Sequence, residues 1–123
     1  MQKQAVEDLV TFLEKRAVRV RELEREGDAA LAAEGQFAFQ VKAEAKAELL
    51  ASLSADAWKY TERLDGDEGT EVARRLEQFS TSASTALRIG SVFFMTALLY
   101  PEDHNPGEPN DLETLIEGLK RRA

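Results

Sequence analysis

The sequence predicts an all-α fold, an up-and-down helical bundle that occupies residues 1–123 as one domain. A chain of 123 residues can bury a single hydrophobic core and is too short for two independent ones. Only three residues are proline, and alanine, leucine, glutamate and arginine, which favour helices, are abundant. Apolar residues recur three and four positions apart along most of the chain, which is the spacing of one helix face.

The first helix is predicted over residues 2–26. Its apolar residues recur mostly at steps of three and four, with charged residues between them, and they are Val6, Leu9, Val10, Leu13, Ala17, Val20 and Leu23. Gly27 followed by Asp28 is typical of a helix end and then a new N-cap. We therefore expect this helix to end near Glu26.

The second helix is predicted to end at Leu64 and to begin at residue 28 or at residue 36, because Gly35 interrupts a strongly helical stretch. Its apolar ridge is spaced mostly by four and consists of Phe37, Val41, Ala45, Leu49, Leu53, Ala57 and Leu64. A single helix from 28 to 64 would be unusually long, about 55 Å at 1.5 Å per residue. A kink at Gly35, or a stop and new N-cap at Ser52 or Ser54, is the alternative.

The third helix is predicted over residues 70–100, after a glycine-rich turn that Thr70 closes as an N-cap and before Pro101. Its second half, residues 89–100, is apolar on nearly every side, which indicates central burial or a partner on the outward face. The second and third helices should form a long antiparallel hairpin with the first helix along it.

A short last helix is predicted over residues 110–122. Asn110 and Glu113 have the spacing of a capping box, and the preceding residues 101–109 form an acidic, proline-containing loop. We expect the last helix to cover one end of the hairpin.

Charge and composition disfavour several partners. The net charge of −7 opposes a broad nucleic-acid surface. The basic residues of the first helix are interleaved with glutamates, which favours a solvated or partner-docking face; they are Lys15, Arg16, Arg19, Arg21 and Arg25. Residues 89–99 are too few to span a bilayer, and the N-terminus lacks a signal-peptide pattern. We therefore predict a cytoplasmic protein with no nucleic-acid or membrane partner.

Candidates for catalysis are few. The chain has no cysteine and one histidine, His104, so a nucleophile–base constellation has little to draw on. On the second helix Lys42, Lys46, Glu44 and Glu48 are interpreted as a solvated face of mixed charge. We predict no catalytic residues and no cofactor, and an enzyme is disfavoured.

The leading hypothesis is a non-catalytic interaction or assembly protein, such as an adaptor or a small chaperone-like protein. It would associate as a homodimer, or with another helical protein, through apolar helix faces. The predicted interaction surface comprises Ile89, Val92, Phe93, Leu99, Tyr100, Val6, Leu13 and Val20.

The alternative hypothesis is a bundle that binds a metal ion or a small apolar ligand. The metal would lie in the acidic loop, with His104, Glu102, Asp103 and Glu108 as ligands, although the residue three before His104 is a proline and the di-iron pattern is therefore absent. The apolar ligand would occupy a pocket among Phe79, Phe94 and Trp58.

Overall fold

The computed structural model describes residues 2–122, and these form an all-α helical bundle without a strand, which confirms the predicted fold class. The helices are α1 (Gln2–Glu34), α2 (Gln36–Ala51), α3 (Leu53–Thr61), α4 (Gly66–Ile89), α5 (Val92–Ala97) and α6 (Asp111–Lys120). None of the helices in this described range is long and apolar enough to cross a membrane.

Helix α1 continues past the predicted end at Glu26 and reaches Glu34. Gly27 is a buried position inside the helix, where a Cβ atom would lie 3.4 Å from the Cβ of Lys42 on α2. The absence of a side chain at Gly27 therefore lets α1 and α2 pack closely, and the residue does not end α1. The chain reverses at Gly35, whose φ of 99° lies in the region that glycine adopts easily.

Helix α1 runs antiparallel along both α2 and α3. Glu26 pairs with Lys42 at 2.9 Å near one end, and Arg16 pairs with Asp56 at 3.0 Å further along. Phe12 and Tyr60 stack with their ring centroids 5.0 Å apart. The second predicted helix also packs against α4, so the expected hairpin is present with α1 along its side.

The second predicted helix is interrupted at Ser52, one of the two breaks that the sequence allowed. Helix α2 ends there and α3 begins at Leu53. The buried Ser80 hydroxyl of α4 donates to the Leu50 carbonyl at 2.8 Å and accepts from the Ser54 amide at 2.9 Å. The Ser80 hydroxyl thus forms hydrogen bonds with two backbone groups, one on each side of the helix break.

The third predicted helix is two helices. Helix α4 begins at Gly66, four residues before the predicted cap at Thr70, and ends at Ile89; the next residue, Gly90, is left-handed with φ 68°. Ser91 then caps α5, because its hydroxyl accepts from the Phe94 amide at 3.1 Å. The apolar run is thereby divided, and α5 takes a new direction.

Helix α6 carries the predicted capping box. The Asn110 side chain accepts from the Glu113 amide, and the Glu113 carboxylate accepts from the Asn110 amide, both at 2.9 Å. The helix packs on α1 and closes the core. The largest fully buried side chains are Leu9, Leu13, Leu50, Leu53, Leu76, Met95, Leu112, Leu119, Val6, Val20, Val72 and Asn110.

Candidate functional site

The predicted interaction surface divides into a buried part and an exposed part. Val6, Leu13 and Val20 are no more than 1% exposed, because α2, α3 and α6 cover the apolar stripe of α1. These three residues belong to the core of the chain itself and are not available to a partner.

The C-terminal part of the predicted surface divides in the same way. Leu99 is buried, and Val92 and Tyr100 are partly buried, Val92 against the core. Ile89 is exposed and Phe93 is 74% exposed. The break at Gly90 is the cause, because α5 lays one face on the bundle and turns the other outward.

Phe94 adds to the exposed apolar residues, although it was not among the predicted ones. It is 50% exposed, and its ring centroid lies 5.7 Å from that of Phe93. Two neighbouring aromatic rings thus face solvent on a helix of six residues. Its position in the apolar run was visible in the sequence, but the face it takes depends on the break at Gly90.

A groove of about 470 Å³, the α4–α5 groove, lies beside these rings. Buried Leu50, Ala86 and Leu98 are part of its lining, together with the rings of Phe79 and Phe94. Small hydroxyl residues of α4 complete one side, and they are Thr81, Ser82 and Thr85. A mostly uncharged concavity of this kind can accept an apolar side chain or the edge of a helix.

Asp111 is the one charged residue in the lining of the α4–α5 groove. Its burial raises the pKa of the carboxyl group, and the charge of Arg75 acts in the opposite direction. No ion pair joins this carboxylate to another residue within 2–122. The groove therefore presents one partly desolvated negative charge.

The predicted aromatic pocket is only partly assembled. Phe79 and Phe94 line the α4–α5 groove together, whereas Trp58 lies elsewhere, in shallow depressions beside Phe12 and Arg16 and beside the start of α4. A ligand in the groove would meet two of the three predicted rings.

The acidic loop offers no assembled metal site in the described part of the chain. No group of three or more histidine, aspartate or glutamate side chains there could hold a metal ion. The predicted ligands bond within the loop instead: His104 Nε2 lies 3.0 Å from the Glu108 carbonyl, and the Glu108 carboxylate accepts from the Asn105 amide at 3.0 Å.

Lys46 is buried, contrary to its interpretation as part of a solvated face. Its side chain is 4% exposed, and its ammonium lies 2.9 Å from Glu24 Oε2, 3.1 Å from the Thr96 carbonyl and 4.9 Å from the ring centroid of Tyr100. Glu24 Oε2 is itself buried, so the two charges face one another away from solvent. Burial lowers the pKa of Lys46, and the charge of Glu24 opposes this shift.

Tyr100 extends the network to α6. Its hydroxyl donates to Glu24 Oε1 at 2.7 Å and accepts from Arg21 at 3.1 Å, and Arg21 binds both carboxylate oxygens of Glu113, at 3.0 and 2.7 Å. Burial, and next the bond to Glu24, raises the pKa of Tyr100 to about 12. The bonds from Arg21 lower the pKa of Glu113.

This network faces an open groove of about 470 Å³ between α1, α2 and the loop at 104–107. Lys46, Glu24 and Tyr100 line the groove, but each is engaged with another element of the fold. We interpret the network as a set of ion pairs and hydrogen bonds that holds α1, α2 and α6 together. The sequence did not reveal this network. A signal was present, because Lys46 has helical spacing to Ala43, Ala47 and Leu50, the apolar residues of the buried face of α2.

Three of the five basic residues predicted on α1 are paired within the fold. Arg16 binds Asp56, Arg19 binds Glu22 and Glu26, and Arg21 binds Glu113. Lys15 and Arg25 are exposed and form no ion pair within residues 2–122.

No protein-family model, curated protein or solved structure matches this chain.

Proposed function

We propose that the protein is a non-catalytic interaction and assembly protein that self-associates through its α4–α5 surface. This surface comprises Ile89, Phe93, Phe94 and the α4–α5 groove. The observation that carries the proposal is the pair of exposed phenylalanine rings beside an open, mostly uncharged groove.

Burial of these rings supplies the driving force. Complete burial of one phenylalanine side chain is worth about 1.5–3 kcal/mol, and aromatic residues at the centre of an interface carry a large share of its energy. The cost of fixing the rings is low, because a phenylalanine has few rotatable bonds. Ile89 extends the apolar area along the end of α4.

The low charge of the groove is compatible with self-association at this surface. Two copies that each carry a net charge of −7 repel one another, most strongly where acidic side chains face each other. The groove lining contains one charged residue, Asp111, so few like charges meet when two such surfaces approach.

Size-exclusion chromatography with light scattering tests the proposal. We expect wild type to elute with a mass twice that of the 13.7 kDa chain, and Phe93→Ala and Phe94→Ala to shift it toward the monomer. Phe37→Ala is the matched control, because Phe37 is 78% exposed on α2 and outside this surface. A wild-type monomer at every concentration, or an equal effect of the control, would overturn the proposal.

A small apolar ligand in the same groove is the second candidate function. The groove volume lies in the range of about 300–1,000 Å³ that ligand sites occupy, and the rings of Phe79 and Phe94 line it. Native mass spectrometry of the purified protein would detect a retained ligand. A ligand lost in Thr85→Trp supports this candidate, and wild type without added mass argues against it.

A further inference from the structure

We propose that Phe93 of a second copy occupies the α4–α5 groove, in a two-fold symmetric dimer in which each copy provides one protruding ring and one groove. The inference rests on the proposed self-association and specifies its geometry. The partner at the groove is then a second copy of this chain, and the Phe93 side chain of that copy fills the groove.

The protruding ring and the groove lie side by side on one face. Phe94 lines the groove, and its ring centroid is 5.7 Å from that of Phe93. Phe93 does not line the groove of its own chain and is the more exposed of the two. A surface that carries both a projection and a matching depression is complementary to a copy of itself, and a two-fold axis between them satisfies both contacts at once.

The charges beside the two features are complementary as well. Asp111 lines the groove without an ion-pair partner in residues 2–122. Arg88 lies exposed in the last turn of α4, next to Ile89, and makes no ion pair in the same described range. Arg88 directly precedes Ile89 of the α4–α5 surface, so in the two-fold dimer we expect it to pair with Asp111 of the other copy.

The rim of the groove permits close approach. Thr81, Ser82 and Thr85 line it from α4, and none of them carries a long side chain. Small residues along a helix let a neighbouring element come near without displacing flexible charged groups. The six-residue α5 of the partner can thus bring its ring to the depth of the groove.

Mixing two complementary variants tests this geometry. Phe93→Ala removes the ring and keeps the groove, while Thr85→Trp fills the groove and keeps the ring. Each variant alone loses both contacts, so we expect its dimer dissociation constant in sedimentation equilibrium to rise about tenfold or more. An equal mixture should form a heterodimer more tightly than either variant associates alone, because one ring and one groove remain intact.

The controls separate the inference from the proposed function. Phe37→Ala should leave the wild-type dissociation constant unchanged, and circular dichroism checks that Thr85→Trp is folded, with Ser82→Trp as the second groove-filling variant. A wild-type dimer that withstands Phe93→Ala, or a mixture no tighter than its components, overturns the inference and leaves self-association standing. A wild-type monomer overturns both.

Discussion

Replacement of Glu24 by glutamine should destabilise the protein strongly, because it leaves the buried ammonium of Lys46 without its counter-charge. Glutamine keeps the size of the side chain and an oxygen that can accept from Tyr100, so the change isolates the loss of charge. In the wild-type structure the ammonium and Glu24 Oε2 are 2.9 Å apart.

The expected magnitude follows from the burial of the pair. Removal of one partner from a buried ion pair costs about 3–5 kcal/mol, since the remaining charge is uncompensated. The Lys46 side chain is 4% exposed but that of Glu24 is 22% exposed, so solvent screens part of the interaction between the two charges. We therefore expect a loss of about 2–3 kcal/mol in the free energy of unfolding.

Urea denaturation followed by circular dichroism measures this loss, with Glu71→Gln as the matched control. Glu71 pairs with Arg74 at 2.6 Å on α4, and both side chains are about half exposed, so its replacement should leave the urea midpoint nearly unchanged. The double variant Glu24→Gln/Lys46→Met removes both charges and should recover stability to within about 1 kcal/mol of wild type.

The effect of pH provides a second check. The pKa of Lys46 is lowered in the fold from its usual 10.5, so the unfolded chain binds the proton more tightly and stability rises with pH below 10.5. Loss of Glu24 lowers that pKa further, and the deficit of Glu24→Gln should therefore shrink between neutral pH and pH 10. A deficit below about 1 kcal/mol at neutral pH, or one that does not change with pH, would refute the reasoning.

Three further predictions concern the scaffold. Gly69→Ala should destabilise the protein, because a Cβ atom would lie 2.8 Å from the backbone carbonyl oxygen of Leu64. Gly118→Ala, at an open position inside α6, should raise the free energy of unfolding by up to about 1 kcal/mol in thermal denaturation. Asn110→Ala should cost about 1–2 kcal/mol in urea denaturation, because the capping box of α6 is lost, and an unchanged midpoint would contradict that role. The raised pKa of Tyr100 stabilises the fold fully below pH 10, and this contribution is lost as the pH rises toward the folded pKa of about 12. Solvent screening limits the loss to about 1 kcal/mol. The variant Tyr100→Phe should therefore show a smaller decline of stability in alkaline denaturation.

The helices were predictable from the sequence because local signals agree with their tertiary environment. The seven-residue spacing of Val6, Leu13 and Val20, which equals two helical turns, marks the face of α1 that is buried. Asn110 and Glu113 form the capping box that their spacing predicted. The element that covers this face was not predictable, because the spacing of apolar residues does not show whether a partner chain or another helix of the same chain packs against them.

The glycines were harder to interpret. Gly27 was predicted to end a helix and Gly90 to lie within one, and the structure shows the opposite in both cases. Gly27 is fixed in α1 by the nearness of α2, which is a contact between distant parts of the sequence. Gly90 ends α4 because Ser91 can cap a new helix directly after it, a local signal that the continuous apolar run obscured.

The α4–α5 groove depends on that same break. A continuous helix would have turned Phe93 and Phe94 to positions set by α4, whereas the break places both rings at the surface. Lys46 shows the complementary difficulty, since a charged residue was assigned to solvent although its neighbours Ala43, Ala47 and Leu50 are buried. Its partner Glu24 lies on another helix, which one-dimensional spacing does not reveal.

Photo-cross-linking from position 93 tests the central claim most directly. With benzoylphenylalanine in place of Phe93, illumination of the wild-type background should yield a covalent dimer, and mass spectrometry should locate the cross-link at groove residues such as Phe79, Ser82 or Leu98 of the other copy. The same group at position 37 should give little dimer. Equal dimer from both positions, or cross-links outside Ile89, Phe93, Phe94 and the groove, would contradict self-association through the α4–α5 surface.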